Sequence, residues 1–416
     1  MTSSANSVDA KLESCLPGAP REASGPGASF SPPLQVRLLV MQPTPFCNLD
    51  CTYCYLPHRS DTRRMSLATV EAAAMNIVES GLLGDELVVI WHAGEPLVVP
   101  REFYAEAFAR IRAVVGTRAT VRHSLQTNGT LVDTRWCDLF REWSVRVGVS
   151  LDGPADLHDR HRKTRAGRGS HRAVMRGVEC LRAASLPFYA IAVVTASALD
   201  RADDILDFFE ANEVLDLAFN IEELEGANAR SSLDGDEDRV AGFFRCVFRR
   251  ALASGGRLRV RELDRSRDAL LRGLGAMTIG ASEYVENEQV RPFEIITVDA
   301  DGDYATFSPE LLGQRHPRFD GFSLGNVHRD RMADALATER FRSMFGEVMA
   351  GIDRCERHCR YYFLCGGGAP ANKLFEHGRF DASETAFCRN AIQRPLDVCL
   401  ELLESLASPT RASSAA

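Results

Sequence analysis

Three cysteines within eight residues carry the most chemistry in this chain: Cys47, Cys51 and Cys54, in Phe46-Cys-Asn-Leu-Asp-Cys-Thr-Tyr-Cys-Tyr55. Their spacing is C-x3-C-x2-C, with Tyr53 just before the last thiol. Three thiolates this close can each hold one iron of a cubane cluster, leaving a fourth iron without a protein ligand. An open metal position is a place for chemistry, whereas a site closed by four ligands is structural. A zinc site short of one ligand and three unconnected thiols are the plainer readings of the same spacing.

A second set lies near the other end: Cys355, Cys359 and Cys365, followed by Gly366-Gly-Gly368, with Cys388 further on. Four thiolates suffice to close one 4Fe–4S cluster, and a four-cysteine zinc site fits the spacing too. Cys137, Cys180, Cys246 and Cys399 are isolated in helix-like stretches and read as small buried hydrophobes, while Cys15 belongs to a loose tail. Clustering, not the count of twelve, is the signal.

The elements that must position these groups are short apolar runs alternating with longer amphipathic ones. Strands are expected at 36–41, 87–91, 120–125, 145–151, 189–194 and 215–220, and helices at 66–80, 101–115, 133–143, 171–184 and 202–211. Such alternation indicates βα units around a parallel sheet. Six units are too few for a closed eight-stranded barrel, so a partial barrel or a doubly wound sheet fits. Residues 295–307 read as a hairpin turning at Asp301-Gly302.

The unusual residues fall where these strands end. The cysteine loop follows the first strand, Ala93-Gly-Glu-Pro96 the second, Gln126-Thr-Asn-Gly129 the third, Ser150-Leu-Asp-Gly-Pro154 the fourth and Asn220-Ile-Glu-Glu223 the sixth. Parallel βα folds place ligands at the carboxyl ends of their strands. Gly94 lets backbone approach a ligand closely, and Glu95 can pair with an ammonium group. Ser150 and Asp152 can bond a ribose or a carboxylate, although Asp152 also suits an N-cap before Pro154. Arg162 reads as a surface arginine or as a bidentate carboxylate clamp.

Cys47, Cys51, Tyr53 and Cys54, with Ala93-Gly-Glu-Pro96, resemble the radical S-adenosylmethionine (SAM) superfamily. The resemblance implies an α/β partial (β/α)6 barrel, a 4Fe–4S cluster chelated by SAM, and a 5′-deoxyadenosyl radical that abstracts a substrate hydrogen. It gives Gly94 and Glu95 the SAM amino group and Ser150 and Arg162 its carboxylate, with Tyr53, Gln126, Asn128 and Asp152 completing the cofactor pocket. The later part of the chain resembles the SPASM extension of peptide-modifying members. Here Cys355, Cys359, Cys365 and Cys388 match the ligands of one auxiliary 4Fe–4S cluster. Ala369 stands where fuller versions have a cysteine, and 295–307 has none. One auxiliary cluster is therefore expected, and two clusters in all.

Residues 36–400 resemble more narrowly the cyclophane-forming maturases of ribosomal peptides paired with glycine-rich-repeat precursors. Gln126-Thr-Asn-Gly-Thr130, Phe219-Asn-Ile-Glu-Glu-Leu-Glu-Gly226, Thr306-Phe-Ser-Pro-Glu-Leu-Leu-Gly313 and Cys365-Gly-Gly-Gly-Ala-Pro-Ala-Asn-Lys373 carry that likeness. It implies a ribosomal precursor peptide as substrate, a bond from an aromatic ring carbon to a neighbouring Cβ, and an external flavodoxin- or ferredoxin-like electron donor. Glu222, Glu223 and Glu310 are candidate bases for the ring proton, each also readable as a helix-end or salt-bridge residue. A sulfatase-maturase-like enzyme making formylglycine or a thioether is the alternative, and a zinc-stabilised binding module the non-enzymatic one.

Composition bounds these readings. A net charge of −8 argues against a nucleic-acid surface, and no apolar run approaches a membrane span. With no secretory signal, the cysteines are expected in a reducing cytoplasm, as ligands rather than disulfides. The expected organisation is a disordered tail at 1–33, a barrel at 34–225, a helical bridge at 226–290, the extension at 291–400 and a tail at 401–416. The tail is too loose to be a leader-recognition domain.

Overall fold

The computed structural model describes residues 34–279, 287–319 and 321–407. The expected tail at 1–33, with Cys15, lies outside them, as do residues 280–286 of the expected bridge and the chain from 408. The barrel region runs β1 (Val36–Met41), α1 (Leu67–Glu79), β2 (Leu83–Trp91), α2 (Arg101–Val115), β3 (Thr120–Thr127), α3 (Thr134–Glu142), β4 (Arg146–Ser150). It continues through α4 (Ala155–His161), α5 (His171–Ala183), β5 (Phe188–Val194), α6 (Ala202–Ala211) and β6 (Asp216–Ile221). Then come α7 (Glu237–Ala253), β7 (Arg259–Val260), α8 (Arg261–Ile279), β8 (Ile295–Val298), β9 (Asp303–Thr306) and β10 (Gly325–Asn326). The chain closes with α9 (Glu339–His358), α10 (Tyr362–Cys365), α11 (Pro370–His377) and α12 (Arg394–Ala407).

Local chemistry sets these elements. Ser66 caps α1 by accepting from the Thr69 amide, and Val70, Ala73, Ala74 and Ile77 form its buried stripe. Asp133 caps α3 in the same way. Trp91, Tyr104, Phe108 and Trp136 meet edge to face between the sheet and its helices. On α5, Gly177 has no room for a side chain: a Cβ there would lie 2.1 Å from the Gly129 carbonyl oxygen. That contact presses the helix onto the turn that carries Asn128.

Strands β1 to β6 pair in parallel and in sequence order. The hairpin β8–β9 does not stand apart. β8 pairs in parallel with β1, from Leu38↔Ile295 to Met41↔Val298, so one ten-stranded sheet runs β10-β9-β8-β1-β2-β3-β4-β5-β6-β7. Every residue of β8 is buried, as an interior strand requires. The last helix differs from expectation: α12 continues past residue 400 because Leu402 is buried and Glu401 pairs with Arg245 of α7 at 2.8 Å. Cys137 and Cys399 are buried as expected, whereas Cys180 and Cys246 are half-buried. Among the described residues, no helix is long and apolar enough to cross a membrane.

Candidate active site

The loop after β1 is stitched to its surroundings by backbone. The Cys47 amide donates to Arg59, Asp50 to Lys163 and Thr52 to His161. Arg59 and Arg165 reach back to the carbonyls of Cys51 (3.2 Å) and Cys47 (2.7 Å). The thiols end up half-buried. Burial pushes the Cys47 thiol up to about 12, helped by Glu95, and the Cys51 thiol up to about 11. Three thiolates crowded in low dielectric need cations, which is the donor chemistry a metal cluster satisfies.

The rim residues form two networks around this loop. In the first, Glu95 is fully buried and accepts from the Leu97 amide (3.0 Å), the Thr127 hydroxyl (2.5 Å) and the Asn128 amide (2.7 Å). Burial still raises its carboxyl to about 7 against those three bonds. Asn128 bonds Asn48 at 2.8 Å and lies 3.8 Å from the Cys47 sulfur. Gly94 sits so close to the loop that a Cβ would lie 2.4 Å from the Thr44 carbonyl. Ala93 adopts a left-handed φ of 73°, a conformation that costs any residue with a Cβ.

The second network centres on Asp152, and it is not an N-cap. Arg162 is buried rather than on the surface, and pairs with Asp152 through Nε and Nη2 at 3.0 and 3.1 Å. Tyr53 donates to the same carboxylate at 2.5 Å and the Val193 amide at 2.9 Å. Burial opposes the charge on Asp152, but Arg162 holds the carboxyl below its ordinary value. Beside it Gln126 donates to Ser150 at 3.0 Å, and its own Oε1 is a buried acceptor with no protein partner.

Of the three candidate bases, the structure brings two together. Glu223 and Glu310 lie within electrostatic range of each other and of Tyr55, the residue after Cys54, along with Glu225. Glu223 is raised to about 7 by burial and by its neighbours Glu310 and Glu376, while Asn372 donates to it at 2.7 Å. Glu225 and Glu310 are raised as well, chiefly by burial. Glu222 instead turns to Ser232, accepting from its amide at 2.7 Å and from its hydroxyl. Sequence reasoning missed Glu225, Glu376, Thr127 and the Tyr55–His92 hydrogen bond of 2.9 Å. Thr127 lies inside the Gln126-Thr-Asn-Gly129 turn, Glu225 lies inside the 219–226 stretch, and Tyr55 and His92 adjoin the motifs, whereas nothing local signals Glu376.

The second cysteine set converges. Cys355, Cys359, Cys365 and Cys388 line one small cavity with Gly368 and Ser383. Cys355 lies in the last turn of α9, Cys365 ends α10, and Cys388 opens a stretch of π-helix (Cys388–Gln393). Among the described residues, no group of three or more His, Cys, Asp or Glu side chains is arranged to hold a single metal ion. The four thiols therefore surround a volume rather than a point.

The family profile of the radical SAM superfamily matches residues 41–209, the span holding the first cysteine loop and both rim networks, with Glu222, Glu223, Glu225 and Glu310 beyond it. The chain belongs to the radical SAM superfamily. An uncharacterized protein of Synechocystis sp., sll1766, is 40% identical to this radical SAM protein over 88% of this chain and 92% of its own. A serine-type anaerobic sulfatase-maturating enzyme of Bacteroides thetaiotaomicron is 25% identical over 83% and 85%. Among solved structures, anSMEcpe with bound AdoMet and Cp18Cys peptide superposes with a TM-score of 0.70 at 21% identity, covering 89% of this chain and 98% of that one. Streptococcus suis SuiB bound to precursor peptide SuiA gives 0.60 at 14%, covering 92% and 79%. The fold is a partial (β/α)6 radical SAM barrel with a C-terminal SPASM-like extension.

The residues present fit the groups this superfamily implies. The Cys47, Cys51 and Cys54 thiols suit a cluster, and the unpartnered Gln126 oxygen beside Ser150 suits a polar ligand. A second cavity, walled by Gln42, Leu56, Ala93 and Leu312, opens next to the Gly94 turn. The four-thiol cavity suits an auxiliary cluster. Anaerobically reconstituted protein should then bind about eight irons; about twelve, with three spectroscopic clusters, would contradict the reading. Asp152→Ala should destabilise the apo-protein by about 3–5 kcal/mol in urea unfolding, because Arg162 stays buried without its partner. A loss below about 1 kcal/mol would show that the pair does not hold this side of the site together.

Proposed function

We propose that this radical SAM protein matures a ribosomally made peptide by joining an aromatic ring carbon to the Cβ of a nearby residue. When bound, the first cluster with SAM supplies a 5′-deoxyadenosyl radical that takes a hydrogen atom, and the auxiliary cluster supplies a one-electron acceptor. The chain's residues orient and exclude. Gly94 offers backbone at close range, and Glu95, already tied at three points, has one lone-pair direction left for an ammonium group. Arg162 keeps Nη1 outside its pair with Asp152, for a carboxylate beside Ser150.

The observation that carries the reading is that Glu223 and Glu310 lie within electrostatic range of each other and of Tyr55, next to Cys54. Ring substitution must shed a proton, and a half-buried carboxylate with a pKa near neutrality is suited to take it. Likeness to proteins solved with peptides supports a peptide substrate. Ring-to-Cβ bonding rests on the stretches around Glu223, Glu310 and Cys365. Likeness to a sulfatase-maturating enzyme favours a second reading, oxidation of Cys or Ser to formylglycine.

Incubation with SAM, a reductant and the short peptide encoded nearby should lighten that peptide by two hydrogens per crosslink. The crosslinked residues should resist separation on fragmentation. A product that reacts with hydrazide establishes the second reading instead, and unchanged mass with every neighbouring peptide refutes both. If Glu223 is the base, it works deprotonated, so turnover should rise with pH through about 7. Glu223→Gln should remove that limb and lower turnover by about 100-fold or more; an unaltered profile would exclude it.

A further inference from the structure

Lys373 lies on α11 and is only 2% exposed. Its Nζ donates to the Cys355 sulfur at 3.4 Å, and among the described residues no carboxylate pairs with it. Bare backbone boxes it in. A Cβ on Gly351 would lie 3.1 Å from Nζ, and one on Gly368 would lie 3.3 Å from the Cys388 sulfur and 3.8 Å from the lysine Cε. The two glycines therefore admit the lysine stem and the thiols to the same small space.

A buried ammonium is costly unless an anion faces it. The anions within reach are the thiolates of the four-cysteine cavity, Cys355 first and Cys365 also within electrostatic range. We propose that Lys373 is a charge-tuning residue of the auxiliary cluster, favouring its one-electron-reduced form. An all-thiolate 4Fe–4S cluster gains a negative charge on reduction. A fixed positive charge and an N–H···S bond both stabilise the more negative state. The auxiliary site is thereby a better electron acceptor than a cluster held by four thiolates alone, which is what loss of an electron from a substrate requires. The inference rests on the reading of Cys355, Cys359, Cys365 and Cys388 as cluster ligands, and not on which bond the substrate forms.

The test uses full-length protein with Cys47, Cys51 and Cys54 changed to alanine, so that only the auxiliary cluster reports. In reductive titrations followed by electron paramagnetic resonance, Lys373→Met should lower the reduced-to-oxidised ratio at a fixed solution potential. The expected drop is about a hundredfold or more, the size of one unit charge about 5 Å away at an effective dielectric of about 20. Lys373→Arg, which keeps the charge, should recover most of it. An unchanged ratio in Lys373→Met with full iron content overturns the proposal. Should Lys373→Met fail to retain iron, retention by Lys373→Arg supports a charge role, and loss in both variants overturns it. A shifted ratio with no crosslinked peptide from the parent enzyme would sink the crosslinking reading alone.

Discussion

The buried ion pair between Asp152 and Arg162 is the interaction on which the rest of the site depends. Its carboxylate gathers four pieces of chain: the turn after β4, the residue after α4, the Val193 amide of β5 and Tyr53 from the cysteine loop. Of these, β5 is fixed by its pairing with β4 and β6, and the other three lie outside regular structure. The loop holding Cys51 and Cys54 has no regular structure, so its geometry is borrowed from the sheet through this carboxylate. A buried pair is favourable only when its remaining hydrogen-bonding capacity is met. Here the bidentate fork, a phenol and an amide meet it, which explains why a charge so deep in the protein stays ionised.

On the opposite side of the loop the constraint is steric. Gly94 packs its bare Cα against the Thr44 and Phe46 carbonyls, and the Glu95 amide donates to Phe46 at 2.8 Å. The strand-end turn and the cysteine loop thus share one layer of backbone, with Glu95 folded beneath it onto Thr127 and Asn128. Polar groups in both networks are bonded to one another before any ligand arrives. Such a site is preorganised, and little ordering remains to oppose binding.

Much of this was legible in the chain. Apolar alternation placed elements at 36–41, 101–115 and 202–211 with the same bounds the structure shows. Because loops follow strand ends, it also placed the cysteines, Glu95, Asn128 and Asp152 on one rim. Pairing was harder. Asp152 and Arg162 are separated by a helix, and local pattern cannot say that a polar residue before the helix will face one after it. Glu225 and Glu376 look like ordinary solvated glutamates until β6, β9 and α11 converge. Lys373 reads as a helix-surface lysine, because nothing local reveals that Gly351 and Gly368 open a space for it. Strand partners are likewise absent from local pattern: the buried run of β8 indicates an interior strand but not that β1 is its neighbour.

That neighbour relation has a consequence for how the chain is made. Strand β1 is among the first described residues to leave a ribosome, and the strand that covers its outer edge begins at Ile295. Until then an apolar strand displays a row of unpaired amides and carbonyls to every other nascent chain, the circumstance in which edges aggregate. The same edge carries the loop with Cys47, Cys51 and Cys54. Iron delivered before β8 arrives would meet thiols on a half-finished sheet. The order of synthesis therefore favours a cell that guards this protein during translation and loads its metal afterwards.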